Sequence, residues 1–190
     1  MRPLANKKRP LAMTPNSQPQ KDKVHAMIRV DHAGEYGAVR IYQGQLDALK
    51  GSPCEETIAH MQEQERVHLA TFDKFIQDRH VRPTALSPLW HVAGYAMGYL
   101  TGRLGEKAAM ACTVAVEEAI DEHYAAQEET LKDMGTEPEL YKTVVQFRQE
   151  ELEHRDIGLD HGAEQAPAYA LLTGAIKRAS KLAIFLSKRI

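Results

Sequence analysis

Cysteine is scarce in this 190-residue chain: only Cys54 and Cys112 occur, and they form no Cys-x-x-C pair. That scarcity argues against a disulfide scaffold and for two reduced thiols in a reducing compartment. An apolar stretch behind the basic N-terminus is missing too, so no secretory signal is read. Pro3, Pro10, Pro15 and Pro19 would break a helix there. Residues 1–22 are therefore expected to be a disordered basic tail, and residues 23–190 to form one domain. Strand-like alternation is absent as well, which leaves a helical period almost throughout.

Charge is nearly balanced overall, at −2, but unevenly spread. Six Lys/Arg against one Asp lie in residues 1–23, and five Lys/Arg with no acid lie in residues 166–190. The middle of the chain is correspondingly acidic. An acidic centre between basic ends lacks the continuous basic face of a nucleic-acid binder and suits an anionic lipid surface better.

The spacing predicts helices over about Lys23–Leu49, Glu55–His80, Pro88–Gly102, Glu106–Met134 and Pro138–His161. Gly51-Ser52-Pro53 and Gly135 stop the first and fourth, and a sixth opens at Pro167 and runs to the end. Short connections make the first two and the fourth and fifth helices antiparallel hairpins.

Residues 83–102 contain no Asp, Glu, Lys or Arg, yet Pro88, His91 and three glycines interrupt them. They are read as resting in a membrane interface, with Trp90, Tyr95 and Tyr99 at headgroup level, rather than as a span. Ala93, Gly94, Ala96 and Gly98 permit close helix contact or a groove for an isoprenoid tail. The sixth helix mixes Leu171, Leu172, Ile176, Leu182, Phe185 and Leu186 with Lys177, Arg178, Lys181, Lys188 and Arg189. It reads equally as a basic amphipathic membrane helix and as one packed on the bundle.

The four long helices each carry a glutamate in mid-stripe. The stripes are Ile28, His32, Glu35, Val39, Tyr42, Leu46, Leu49; Ile58, Met61, Glu65, His68, Phe72, Phe75; Met110, Thr113, Glu117, Ile120, Tyr124; and Leu140, Val144, Phe147, Glu151, His154. Carboxylates facing a core are costly unless a cation compensates them. Glu65/His68 and Glu151/His154 are both Glu-x-x-His, which puts an oxygen and a nitrogen donor on one helix face. Two such pairs plus single glutamates, Glu35 and Glu117, match the inventory of ferritin-like di-metal bundles. The spacings of 30 residues (35 to 65) and 34 residues (117 to 151) suggest a duplicated hairpin with one ion per half. Oxygen and imidazole donors without thiolate suit iron or manganese, and open coordination positions suit dioxygen chemistry. The expected fold is all-α: a ferritin-like four-helix bundle of duplicated hairpins plus two membrane-associating helices.

Four stretches, RVDHAGEYGAVRIYQGQL, EQERVHLATFDKF, ACTVAVEEAIDEHYAAQ and EELEHRDIGLDHGAEQAPAYA, closely resemble the demethoxyubiquinone hydroxylase family of ubiquinone biosynthesis. The resemblance spans about residues 23–190. It implies a monooxygenase with two iron ions and O2 as co-substrate, fed by NADH or another reductant, that hydroxylates the ring of a polyprenylated demethoxy-quinol. It implies peripheral attachment to the cytoplasmic face of a bacterial inner membrane or the matrix face of a mitochondrial one. A membrane lipid surface, a lipid-binding accessory protein of ubiquinone biosynthesis and a homo-oligomer are the partners it admits; nucleic acid is not among them. Carried over residue by residue, the family's iron ligands fall on Glu35, Glu65, His68, Glu117, Glu151 and His154, with Glu117 preferred to the adjacent Glu118.

Tyr124 shares a face with Glu117 and is the candidate for guiding the quinone or relaying an electron, while Tyr42 reads as core. His32, His123, Asp31 and Asp156 are candidates for hydrogen bonds that orient the ligands. A ferritin-type iron-oxidising storage protein, needing no membrane surface, is the competing reading. A non-enzymatic membrane scaffold would leave six aligned ligands without a purpose.

Overall fold

The computed structural model describes residues 17–190; residues 1–16, most of the expected tail, lie outside them. The helices are α1 (Ser17–Ala48), α2 (Glu55–Asp78), α3 (Ser87–Arg103), α4 (Glu106–Met134), α5 (Pro138–Asp160) and α6 (Tyr169–Ser187), with a 3-10 turn at Ala163–Gln165. No strand occurs among the described residues.

Helix α1 begins at Ser17, upstream of the expected Lys23. Pro19 does not prevent this, because the first helical turn has no intrahelical use for the N–H that proline lacks. The sixth helix starts later than expected. Ala168 adopts φ +53 ahead of Tyr169, so Pro167 precedes α6 instead of sitting in its first turn. Helix α6 also stops at Ser187, three residues short of the expected end. The other boundaries agree within two residues, and Gly135 ends α4 in the left-handed conformation with φ +62.

Helices α1 and α2 form one antiparallel hairpin, closed by a turn in which Gly51 has φ +79, and α4 and α5 form the other. Helix α3 lies along α1, and α6 lies along α4. The α1–α3 seam is unusually close. A Cβ on Gly98 would overlap the carbonyl of Ile41, and one on Gly102 would stand 2.7 Å from Cβ of Ala48. The small residues of α3 therefore serve helix packing.

The core divides in two along the bundle. Phe72, Phe75, Leu131, Leu140 and Phe147 pack one end, and Leu49, Ile58, Met61 and Met110 pack the other. On α2, Glu65 and His68 fall between Met61 and Phe72, so the polar layer is held between apolar clusters. No described helix is long and apolar enough to cross a membrane. Instead, Leu89, Val92 and Leu100 of α3 and Leu171, Leu182 and Phe185 of α6 stand exposed.

Candidate metal centre

Helical periodicity turns Glu35, Glu65, His68, Glu117, Glu151 and His154 inward, and all six are at most 1% exposed. Their donor atoms form two overlapping groups, each spanning no more than 4.8 Å: Glu35, Glu65, His68 and Glu151 in one, Glu65, Glu117, Glu151 and His154 in the other. Glu65 and Glu151 belong to both. Each group is therefore one hairpin's Glu, Glu, His set joined by one glutamate of the other hairpin. Nδ1 of His68 lies 3.2 Å from Glu151 Oε1 and 3.4 Å from Glu35 Oε2. Nδ1 of His154 lies 3.0 Å from Glu65 Oε1 and 3.4 Å from Glu151 Oε2.

Among the described residues, eight of the twelve buried side-chain polar atoms without a hydrogen-bond partner belong to this cluster; the others are Asp31 Oδ2, His32 Nδ1, Gln45 Oε1 and Gln127 Oε1. Both carboxylate oxygens of Glu65 and Glu151, one each of Glu35 and Glu117, and both Nδ1 atoms have no hydrogen-bond partner. Orphaned buried polar atoms each cost about 1–3 kcal/mol, and more when charged. Eight of them converging on one space fit a pair of cations. The donors are hard oxygens and imidazole nitrogens, suited to iron or manganese; Cys54 and Cys112, both buried and free, are not among them.

The electrostatics carry the same mark. Burial, with repulsion from Glu151 and Glu65, pushes Glu35 and Glu117 well above the ordinary carboxylate range. Burial alone would lower His154, but the carboxylates of Glu151 and Glu65 outweigh it and raise it to about 11. His68 is raised for the same reason, by Glu151, Glu35 and Glu65 against its burial. Without a cation, protons on the imidazoles must balance the carboxylates.

Around this cluster the structure redistributes several expected roles. Tyr124 does reach the site, donating to Glu35 Oε1. Tyr42, read as core, donates to Glu117 Oε1 at 2.8 Å and so belongs to the site as well. Asp31 and Asp156 do not touch the ligand imidazoles: Asp31 accepts from Gln127 and pairs with His123, and Asp156 pairs with Arg155. His32 faces outward to Asp73 at 3.0 Å. The imidazoles are instead met by residues that sequence reading passed over, Glu150 on His68 Nε2 and Gln64 on His154 Nε2. Both look like ordinary polar surface positions in the sequence. Glu118 is partly exposed and pairs with Lys177, which leaves Glu117 as the inward residue.

Beside the cluster, an apolar cavity of about 160 Å³ opens among α1, α3, α4 and α6. Gly34, next to Glu35, and Val116, next to Glu117, line it, as do Ala38, Ile120, Met97 and Ile184. Trp90 at its rim donates Nε1–H to Ser187 Oγ, and Tyr95 donates to Asp47, so these polar handles are engaged within the chain.

Comparison with known proteins gives a consistent result. The model of the family described as ubiquinone biosynthesis protein COQ7 matches residues 22–187. The chain is 58% identical over 168 residues to 3-demethoxyubiquinol 3-hydroxylase of Rhodospirillum rubrum, covering 88% of this chain and 78% of that one. It is 52% identical over 171 residues to the mitochondrial NADPH-dependent 3-demethoxyubiquinone 3-hydroxylase of Homo sapiens, with coverages of 88% and 78%. With the mitochondrial 5-demethoxyubiquinone hydroxylase of Saccharomyces cerevisiae it shares 38% over 179 residues, with coverages of 86% and 77%.

Proposed function

The chain belongs to the ubiquinone biosynthesis protein COQ7 family, and from this premise we propose that it is a 3-demethoxyubiquinol 3-hydroxylase whose six buried glutamates and histidines hold two iron ions. The observation that carries the reading is the convergence of four buried carboxylates and two imidazoles, with unmet hydrogen-bonding capacity, beside an apolar cavity. Glu35 and His68 would hold one ion and Glu117 and His154 the other, with Glu65 and Glu151 within reach of both. Two bound irons supply the redox chemistry by which one atom of O2 enters the quinol ring, with two electrons from NADH or another reductant and two protons completing water from the second atom.

The chain's own part is placement and exclusion. Tyr124 and Tyr42 hold one oxygen each of Glu35 and Glu117, leaving the other oxygen free to turn toward the ions. The cavity offers an apolar surface for a quinol ring, and the packed ends of the bundle keep bulk water from the cluster. The frame is a ferritin-like bundle. Its support is the pairing of equivalent positions across α1 and α4: Tyr42 with Tyr124, and Gln45, bonded to Thr113, with Gln127, bonded to Asp31. Attachment to a membrane surface, from which a polyprenyl tail would reach the cavity without crossing water, is part of this reading, and the exposed apolar side chains of α3 and α6 support it.

Turnover under 18O2 with a demethoxy-quinol and a chemical or NADH reductant tests this. One 18O atom in the new ring hydroxyl is expected. Label arriving from water, or iron oxidation with no hydroxylated quinol, would overturn the reading in favour of an iron-oxidising protein.

A further inference from the structure

The two Glu-x-x-His motifs are each preceded by a polar residue, Gln64 before Glu65 and Glu150 before Glu151. The bundle brings each of these to the histidine of the opposite hairpin. Glu150 Oε2 lies 2.5 Å from His68 Nε2, and Gln64 Oε1 lies 3.0 Å from His154 Nε2. They occupy equivalent positions of a two-fold arrangement but differ in charge. Glu150 is itself held, accepting from Gln146 at its other oxygen at 2.9 Å.

An imidazole whose Nδ1 binds a cation must carry its proton on Nε2, and the acceptor at Nε2 fixes both tautomer and ring orientation. A carboxylate acceptor draws that proton more strongly than an amide oxygen and so makes the imidazole the better electron donor. We propose that Glu150 and Gln64 are the positioning residues of the two site histidines, and that their difference in charge makes the two metal positions unequal, the Glu35/His68 position binding a divalent cation more tightly than the Glu117/His154 position. This rests on the di-metal reading of the cluster.

The test is titration of the metal-stripped full chain with Co2+, followed by visible absorption and by the shifted imidazole N–H proton signals. Two binding steps are expected, the tight one lost in His68→Gln and the weak one lost in His154→Gln. Glu150→Gln should weaken the tight step about 10–100-fold, the usual effect of removing such a partner. Gln64→Glu should strengthen the other step, and the double exchange should reverse the order of filling. Two ions bound with equal constants, or a Glu150→Gln variant with both constants unchanged, would overturn the inequality alone. Equal weakening of both steps, with a lowered melting temperature of the stripped protein, would also overturn it, since that marks general damage. Fewer than two Co2+ per chain would overturn the metal centre and this proposal together.

Discussion

The hydroxyl of Tyr42 on α1 donates to Glu117 Oε1 on α4 at 2.8 Å, and Tyr124 on α4 donates to Glu35 Oε1 on α1. Each tyrosine lies two helical turns beyond the glutamate of its own helix, yet serves the glutamate of the other. Helices α1 and α4 are thereby tied at the level of the carboxylate and imidazole cluster by two crossed bonds. Four predictions follow from this and neighbouring features.

Tyr42→Phe leaves Glu117 Oε1 buried without its donor, at a cost of about 1–3 kcal/mol. Each kcal/mol lowers the melting temperature by roughly 2–4 °C in a chain of this size. Tyr124→Phe should cost a similar amount at Glu35 and, if its hydroxyl moves a proton or electron, should cut turnover sharply with iron content unchanged. Melting curves, iron per chain and turnover measured on both variants separate these effects. Full turnover in Tyr124→Phe with iron retained would assign that hydroxyl to structure alone.

Removal of iron should loosen the middle of the bundle, because the orphaned carboxylates and imidazoles then lose their compensating charge. Binding to the native state alone adds about 2.7 kcal/mol when free metal exceeds its dissociation constant a hundredfold. The iron-loaded protein is therefore expected to melt well above the stripped one at equal protein concentration. Glu65→Ala and Glu151→Ala should abolish iron retention, and the stripped variants should melt below the stripped parent, since each loses a carboxylate that balances a buried imidazolium. Identical melting of loaded and stripped parent would contradict the buried site.

Asp31 is a buried carboxyl that burial raises above its ordinary value of 3.8, against hydrogen bonds from His123 and Gln127 and the charge of Lys188. A carboxyl raised on folding favours the folded state at low pH, and that contribution is lost as pH rises through its folded value. Asp31→Asn keeps an acceptor for Gln127 and removes the titration. Its melting temperature should therefore gain on the parent's as pH rises above about 4. A difference that stays flat or shrinks with pH, followed by calorimetry, would mean the His123 pairing governs Asp31 instead.

Lys177 and Lys181 do not wait free for lipid phosphate: Lys177 lies 2.7 Å from Glu118 and Lys181 lies 2.5 Å from Glu122 on α4. Reversing both to Glu should detach α6 from α4 and expose it to limited proteolysis. Replacing the exposed Leu171, Leu182 and Phe185 with Ser should instead weaken co-sedimentation with anionic vesicles and leave proteolysis unchanged. Undiminished vesicle binding of the triple variant would remove α6 from the membrane surface.

Much of the candidate site was legible because its parts are local to single helices. The α2, α4 and α5 stripes read from the sequence are buried at every position, since a 3.6-residue period places residues three and four apart on one face whatever surrounds them. The α1 stripe was less legible: Asp31 and Gln45 are buried, while His32 and Val39 are only partly so. Polar residues on a buried face look like solvated ones until their partners, here His123 and Thr113 on α4, are in place.

The sequence by itself determined the helices, their turns at Gly51 and Gly135, and the inward face of Glu35, Glu65, His68, Glu117, Glu151 and His154, because φ/ψ preference and side-chain period act within a few residues. Only the tertiary structure decided which histidine Glu150 and Gln64 meet, which glutamate each tyrosine serves, and that Lys177 and Lys181 bind α4. Those pairings join residues on different helices, so they depend on how the helices rotate and approach. The whole packed core sets that geometry: Gly98 can lie against the backbone of Ile41 only where both helices run close, and no spacing along either one encodes it.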